Sequence, residues 1–248
     1  MFSKNNDIKD DSFVTDIVIQ DYRTARVFRK YAIDFCCGGK LPLGKVCEIR
    51  GLNTASIKKE LTDAMRTIQV PNSTNFKEWT IDFLVDYITN VHHAYLTTNF
   101  PEIIDIVERF SESHKSKYPF LAKLMATLYE LRDVLLPQLE HEEKIIFPYI
   151  KQIAHAYESH EPYAALLVRT LRKPVENMIK HDLVRKYLHG LRDVTNNYTP
   201  VSNACISHKV AFSMLNELDN DLVQHIHLES NILLPKAIAM EKEMLSIK

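Results

Sequence analysis

Glycine is scarce, with 5 among 248 residues. A sheet-rich protein needs glycine-bearing turns every few residues, so this count argues against one. The glycine fingerprints of dinucleotide-binding and phosphate-binding loops are missing as well. No run of 18 apolar residues occurs, which leaves no candidate for a membrane-spanning helix. Neither charge sign is in excess, since the net charge is -1. That removes the electrostatic case for binding nucleic acid or a membrane surface. Cysteine is sparse: Cys36, Cys37, Cys47 and Cys205 form neither a disulfide framework nor a C-x-x-C zinc pattern. The polar, acidic stretch Met1–Asp11 does not read as a secretion signal. Together these features predict reduced thiols in the cytoplasm.

What is present points to helices. Hydrophobic residues make up 46% and charged residues 25%, an ordinary globular balance. Long stretches rich in Leu, Ile, Glu, Lys and Ala follow one another, so the fold class is all-α. Two segments are expected. Residues 1–70 form a small helical N-terminal domain whose short helical patterns are broken at Cys36-Cys37-Gly38-Gly39. A polar linker follows at 70–75, and residues 77–245 carry four long helices. The spacing predicts these over about 79–99, stopping near Pro101; 119–156, absorbing Pro137 and Pro148; 162–195, restarting at Pro174; and 203–243. Long helices with short connections are the ingredients of an antiparallel four-helix bundle.

The most informative pattern is an internal repeat. Glu142-Glu143-Lys144-Ile145-Ile146-Phe147-Pro148 and Glu229-Ser230-Asn231-Ile232-Leu233-Leu234-Pro235 share the form Glu-x-x-Ile-apolar-apolar-Pro. His93 precedes Glu142 by 49 residues, and His181 precedes Glu229 by 48, each on the preceding helix. A helix pair is thus used twice. His225 and Glu229 stand four residues apart and project from one helix face. Alone, such a pair is a common surface feature. Here it is flanked by Leu222, Ile226, Leu228, Ile232 and Leu233, and its glutamate belongs to the repeat. Imidazoles and carboxylates converging from facing helices suit a pair of iron or manganese ions, with carboxylates bridging and histidines completing each sphere. The candidate metal ligands are His93, Glu142, His181, His225 and Glu229.

The segment from Phe28 to Lys40, which contains Cys36-Cys37-Gly38-Gly39, resembles the signature of the small N-terminal domain of the repair-of-iron-centres proteins. These are hemerythrin-like di-iron proteins of iron–sulfur cluster repair. His225–Pro235 resembles the last helix of their bundle, and the resemblance extends over nearly the whole chain. It selects His93 over neighbouring His92, and His181 within Lys180-His181-Asp182. The resemblance implies a hemerythrin-like four-helix bundle holding two iron ions as a non-haem di-iron centre. It also implies repair or protection of iron–sulfur clusters damaged by nitric oxide or oxidative stress, by iron donation or nitric oxide reduction. The implied partners are damaged iron–sulfur proteins and a small diatomic ligand, nitric oxide or oxygen.

One position departs from the family. A histidine normally stands four residues before the glutamate of the second helix, and here that residue is Gln138, preceded by Pro137 and followed at 141 by His141. One iron is therefore short of an imidazole. The Gln138 amide, a water, or His141 brought round by a kink at Pro137 are the alternatives; on an ideal helix His141 and Glu142 differ by about 100°.

Cys36 and Cys37 read either as small residues in a tight turn or as reactive thiols that meet a client, the role the resemblance favours. A hemerythrin-like oxygen or nitric oxide sensor or carrier without turnover is the second reading, though a carrier has no evident need for the cysteine pair. A ferritin-type oxidase is third, because such sites use Glu-x-x-His pairs rather than His-x-x-x-Glu. A homodimer is expected by analogy with other bundles of this size.

Overall fold

The computed structural model of the chain describes residues 8–35, 41–65, 75–159 and 181–246. The Cys36-Cys37-Gly38-Gly39 motif, linker residues 70–74 and most of the expected third helix, 162–180, lie outside the described residues. Among the described residues regular structure is helical, apart from one isolated bridge between Phe13 and Pro42. The chain divides into two compact units, one of Met1–Pro71 with Tyr198–Asn216 and the other of Asn72–Asn197 with Glu217–Lys248.

Among its described residues the first unit has the short helices α1 Val14–Gln20, α2 Thr24–Lys30, α3 Leu43–Arg50 and α4 Thr54–Met65. None is long enough to be stable alone, so burial holds them. Val14, Phe28, Leu43, Cys47, Ile57 and Leu61 are all buried. Helix α3 stops at Gly51, whose φ of 63° is a left-handed cap that glycine adopts without strain. The Arg23 guanidinium grips the Asp21 carboxylate with two nitrogens and donates to the carbonyl of Met65 at 2.7 Å. That contact ties the α1–α2 turn to the end of α4.

The second unit carries the long helices. Thr80 caps the first of them, accepting from the Phe83 amide at 3.3 Å. Helix α5 (Ile81–Tyr87) passes through a π-helical turn, Ile88–His93, into α6 (Ala94–His114). Helix α7 (Leu121–His141) passes through a second π turn, Glu142–Ile146, into α8 (Phe147–Ser159). Helix α9 is Asp182–Thr195 and ends on the left-handed Asn196. Helix α10 (Ile206–Leu228), whose first residues group with the other unit, passes through a third π turn, Glu229–Leu233, into α11 (Leu234–Ser246). Helix α7 packs on α6 and α9, while α8 packs on α5 and α11. This is an all-α bundle, as the sequence patterns predict.

Apolar spacing builds it. Leu121, Leu124, Leu128, Leu131 and Leu135 recur at alternating steps of three and four and are fully buried along α7. Leu215, Leu218 and Leu222 do the same in α10. Gly190 of α9 lies where a Cβ would meet Cγ2 of Thr127 at 3.3 Å, so glycine permits the close approach of α9 to α7.

One expectation fails. The first long helix does not stop near Pro101 but runs through it to His114. A proline removes one backbone donor. Here Pro101 sits on the exposed face, while Phe100, Ile103, Val107 and Phe110 keep the opposite stripe buried across it. Packing of that stripe outweighs the missing bond.

Leu131→Ala should therefore destabilise the metal-free protein by about 2–5 kcal/mol in urea unfolding. A change below about 1 kcal/mol would mean that the α7 stripe is not core.

Candidate metal centre

The apolar stripes of α7 and α10 do not end in apolar residues. Continuing the three–four steps from Leu135 leads to Gln138 and Glu142, and continuing from Leu222 leads to His225 and Glu229. Polar groups thus enter the bundle interior because they occupy core positions. Glu142, His225 and Glu229 are fully buried. His93 closes the π turn before α6, His181 is the residue directly before α9, and they are 0% and 3% exposed.

The π turns set the angles at which these side chains arrive. In each, an amide reaches back five residues: Ala94 to Thr89, Phe147 to Glu142, and Leu234 to Glu229. A π turn accommodates one extra residue and occurs frequently at functional sites. On the first helix the buried stripe steps from Ile88 by five to His93. The two glutamates of the repeat each begin a π turn, and Pro148 and Pro235 are the second residues of the helices that follow. Proline has no amide with which to restore the tighter α-type bond there.

All five predicted residues converge. Nε2 of His93 lies 3.0 Å from Nε2 of His225, 3.5 Å from Oε2 of Glu142 and 3.6 Å from Oε1 of Glu229. His225 Nε2 is 3.1 Å from Glu229 Oε1. Donor atoms of His93, Glu142, His225 and Glu229 fall within 4.8 Å of one another. His181 approaches the other sides of the carboxylates, with Nε2 2.8 Å from Glu229 Oε2 and 3.9 Å from Glu142 Oε1. The donors therefore sort into two groups, and each group takes one oxygen from each glutamate.

This set fits a cation better than it fits itself. Oε2 of Glu142, Oε2 of Glu229 and Nε2 of His181 are buried without a hydrogen-bond partner. The short His181–Glu229 contact lacks hydrogen-bond alignment, although its atoms are 2.8 Å apart. A buried polar atom left without a partner, as Glu142 Oε2 is, costs about 1–3 kcal/mol. Burial, and then the charge of Glu229, hold the Glu142 carboxyl well above the usual range, against the opposing Gln138 hydrogen bond. Burial also pushes Glu229 upward, but His225, His181 and His93 outweigh it and hold that carboxyl well below its ordinary value. Burial lowers the His225 imidazole, with Glu229 opposing. The two acids are thus pushed in opposite directions, and a shared cation is what would let both ionise.

The Gln138 alternatives separate. His141 is exposed, whereas Gln138 turns inward and its Nε2 donates to Oε1 of Glu142 at 2.8 Å. His141 therefore stays on the outer face, away from the cluster.

Several contacts were not foreseen. Nδ1 of His93 meets Oε1 of Glu143 at 2.9 Å, and Nδ1 of His181 meets Oγ of Ser230 at 3.1 Å. Glu143 and Ser230 are the residues directly after the two repeat glutamates; that shared offset was the available signal. His92 is buried as well, with Nδ1 2.9 Å from Oδ1 of Asp221. Two adjacent histidines both turn inward because they fall in a π turn.

A buried histidine–carboxylate cluster between long helices defines a cation-binding helical bundle. Residues 85–237 match the family described as the hemerythrin HHE cation binding domain. Residues 10–65 match a second family, ScdA_N, described as a domain of unknown function. Among curated relatives, a "probable iron-sulfur cluster repair protein" of Haemophilus influenzae is 31% identical over 91% of this chain and 96% of its own length. The "iron-sulfur cluster repair protein YtfE" of Escherichia coli O157:H7 is 30% identical over 88% of this chain and 93% of its own. That of an Enterobacter species is 28% identical over 91% and 96%. The chain belongs to the hemerythrin HHE family, in the group whose members are named iron–sulfur cluster repair proteins.

Because a bound ion stabilises only the folded state, ferrous iron added without oxygen should raise the melting temperature of the wild type. Glu229→Ala should abolish the increase, and His227→Ala, at an exposed position outside the cluster, should retain it. Equal shifts in all three proteins would place the ion elsewhere.

Proposed function

We propose that this protein repairs or protects iron–sulfur clusters damaged by nitric oxide or oxidative stress. In this reading its bundle holds two iron ions through His93, Glu142, His181, His225 and Glu229. The observation that carries the reading is the buried cluster itself: two carboxylates, each offering one oxygen to each of two donor groups, completed by three imidazoles. Membership in a group of relatives named for cluster repair, matched along nearly their whole length, supports the biological role.

Iron bound by imidazole and carboxylate is redox-active and held more loosely than in a thiolate cluster, which suits donation. When bound, it would supply one-electron chemistry and an open coordination position for nitric oxide or oxygen. The chain's own residues do the rest. The apolar stripes of α7 and α10 exclude water, the π turns aim the donors, and Glu143 orients the His93 ring. Its Nδ1–H donates to Glu143, so the Nε2 lone pair faces the cluster. Cys36 and Cys37 act in this scheme as the thiols that meet the damaged client. Its proposed place of work is the cytoplasm; no helix among the described residues is long and apolar enough to cross a membrane. A homodimer remains part of the proposal.

The test is reactivation of a purified iron–sulfur enzyme that nitric oxide has inactivated. Iron-loaded protein should restore activity, and metal-free protein should not. Cys36→Ala with Cys37→Ala should lower the restored fraction at least about tenfold, a loss of the size that a single 1.4 kcal/mol interaction gives. Equal recovery with loaded and metal-free protein would remove iron donation from the reading. Unchanged recovery with the double variant would remove the cysteines.

A further inference from the structure

We infer that the two cation positions are unequal, and that the position on the His181 side is the exchangeable one from which iron leaves first. Gln138 and Ser230 make it so. The inference rests on the two-iron reading above and deepens it by naming which iron the protein can give away.

Three observations carry it. The first is the donor count. One group has two imidazoles, His93 and His225, with Oε2 of Glu142 and Oε1 of Glu229. The other has a single imidazole, His181, with Oε1 of Glu142 and Oε2 of Glu229. Imidazole suits iron well, so the group with one imidazole holds it less firmly.

The second is the place of Gln138. It stands four residues before Glu142 on the buried stripe of α7, where it faces Glu142 Oε1, the oxygen on the His181 side. Its amide N–H takes up a lone pair of that oxygen at 2.8 Å. The residue thus leaves its group one imidazole short and also competes with a cation for a carboxylate oxygen. A neutral amide is a weak replacement for imidazole.

The third is the support behind each histidine. Glu143 and Ser230 occupy equivalent places in the repeat, and they back His93 and His181 respectively. A carboxylate behind an imidazole strengthens it as a ligand and fixes its orientation; loss of such a partner lowers metal affinity about 10–100-fold. The Ser230 hydroxyl has no charge to give His181, and the Arg185 guanidinium, 3.2 Å away, draws on the same oxygen. The weaker set of ligands therefore also has the weaker support. The two halves of the repeat differ at these two places, and both differences act on one position.

The experiment is anaerobic release of ferrous iron to a coloured chelator from protein loaded to two irons per chain, with Mössbauer spectra before and after partial release. Wild type should release iron in two phases of similar amplitude whose rates differ by about tenfold or more. The half-depleted sample should lose one of two iron environments. Gln138→His should slow the fast phase toward the slow one, and Ser230→Glu should slow it by about tenfold. Glu143→Ser should instead quicken the slow phase. Urea unfolding of each metal-free variant checks that it folds, and Ser230→Glu, at a half-buried position, gives an answer even where Gln138→His does not fold. A wild type that holds one iron firmly, with Gln138→His holding two, is the limiting case of the same inequality and supports it. Two irons leaving in one phase overturns the inference and leaves the two-iron reading intact. So does a fast phase that neither substitution slows. Fewer than two irons in both the wild type and Gln138→His overturns the two-iron reading itself.

Discussion

Two carboxylates and three imidazoles occupy positions in this bundle that leucine would otherwise fill. In an apolar interior an ionised group without compensation is strongly unfavourable, and two acids facing each other are worse. The rest of the second unit follows from that constraint. Glu142 and Glu229 stand on the stripes that hold α7 and α10 in the core, so they cannot turn to water without unpacking the helices. Burial and the neighbouring acid raise Glu142 above its ordinary range, while the histidines hold Glu229 below its own. The packing that stabilises the fold is also what leaves carboxylate oxygens and an imidazole nitrogen unsatisfied. Metal affinity and bundle stability are in this sense one balance, since a bound ion relieves strain that the apolar helices impose.

The repeat gives the site its near symmetry, and small differences within it give the site a direction. Both repeat glutamates open a π turn, a proline stands second in the helix after each turn, and both glutamates are followed by a residue that backs a histidine. On this common frame His225 has as its counterpart Gln138, and Glu143 has as its counterpart Ser230. A fully symmetric site would hold both ions alike and would have no reason to yield one before the other. A protein that donates iron benefits from holding one ion as a structural anchor while the other moves.

Much of this was legible in the residues. The all-α class followed from scarce glycine and long periodic stretches, and the five clustered side chains followed from the repeat and its upstream histidines. The inward turn of Gln138 was also readable, because it continues the stripe of Leu128, Leu131 and Leu135 while His141 falls off it. Other features were not. Pro101 looks like a helix end when only the backbone is considered; burial of Phe100, Ile103 and Val107 on the far face decides otherwise. The inward turn of both His92 and His93 breaks the α period, and only the π turn explains it. The pairings of Glu143 with His93 and of Asp221 with His92 join residues 50 and 129 positions apart. Helix spacing alone carries no information at that range.

The π turns have a geometric effect that extends past the cluster. Each contains one residue more than an α-helical path requires, so the helix beyond it is rotated by about 100° relative to an uninterrupted one. The buried residues of α8 are therefore out of phase with those of α7, and Glu142 lies at the boundary between them. Removing one residue from Glu142–Ile146 would bring α7 and α8 into a single register and shift the side chains beyond Glu142 relative to it. Seen this way, the metal centre occupies a dislocation in an otherwise regular helical lattice, where side chains of mismatched phase are obliged to meet.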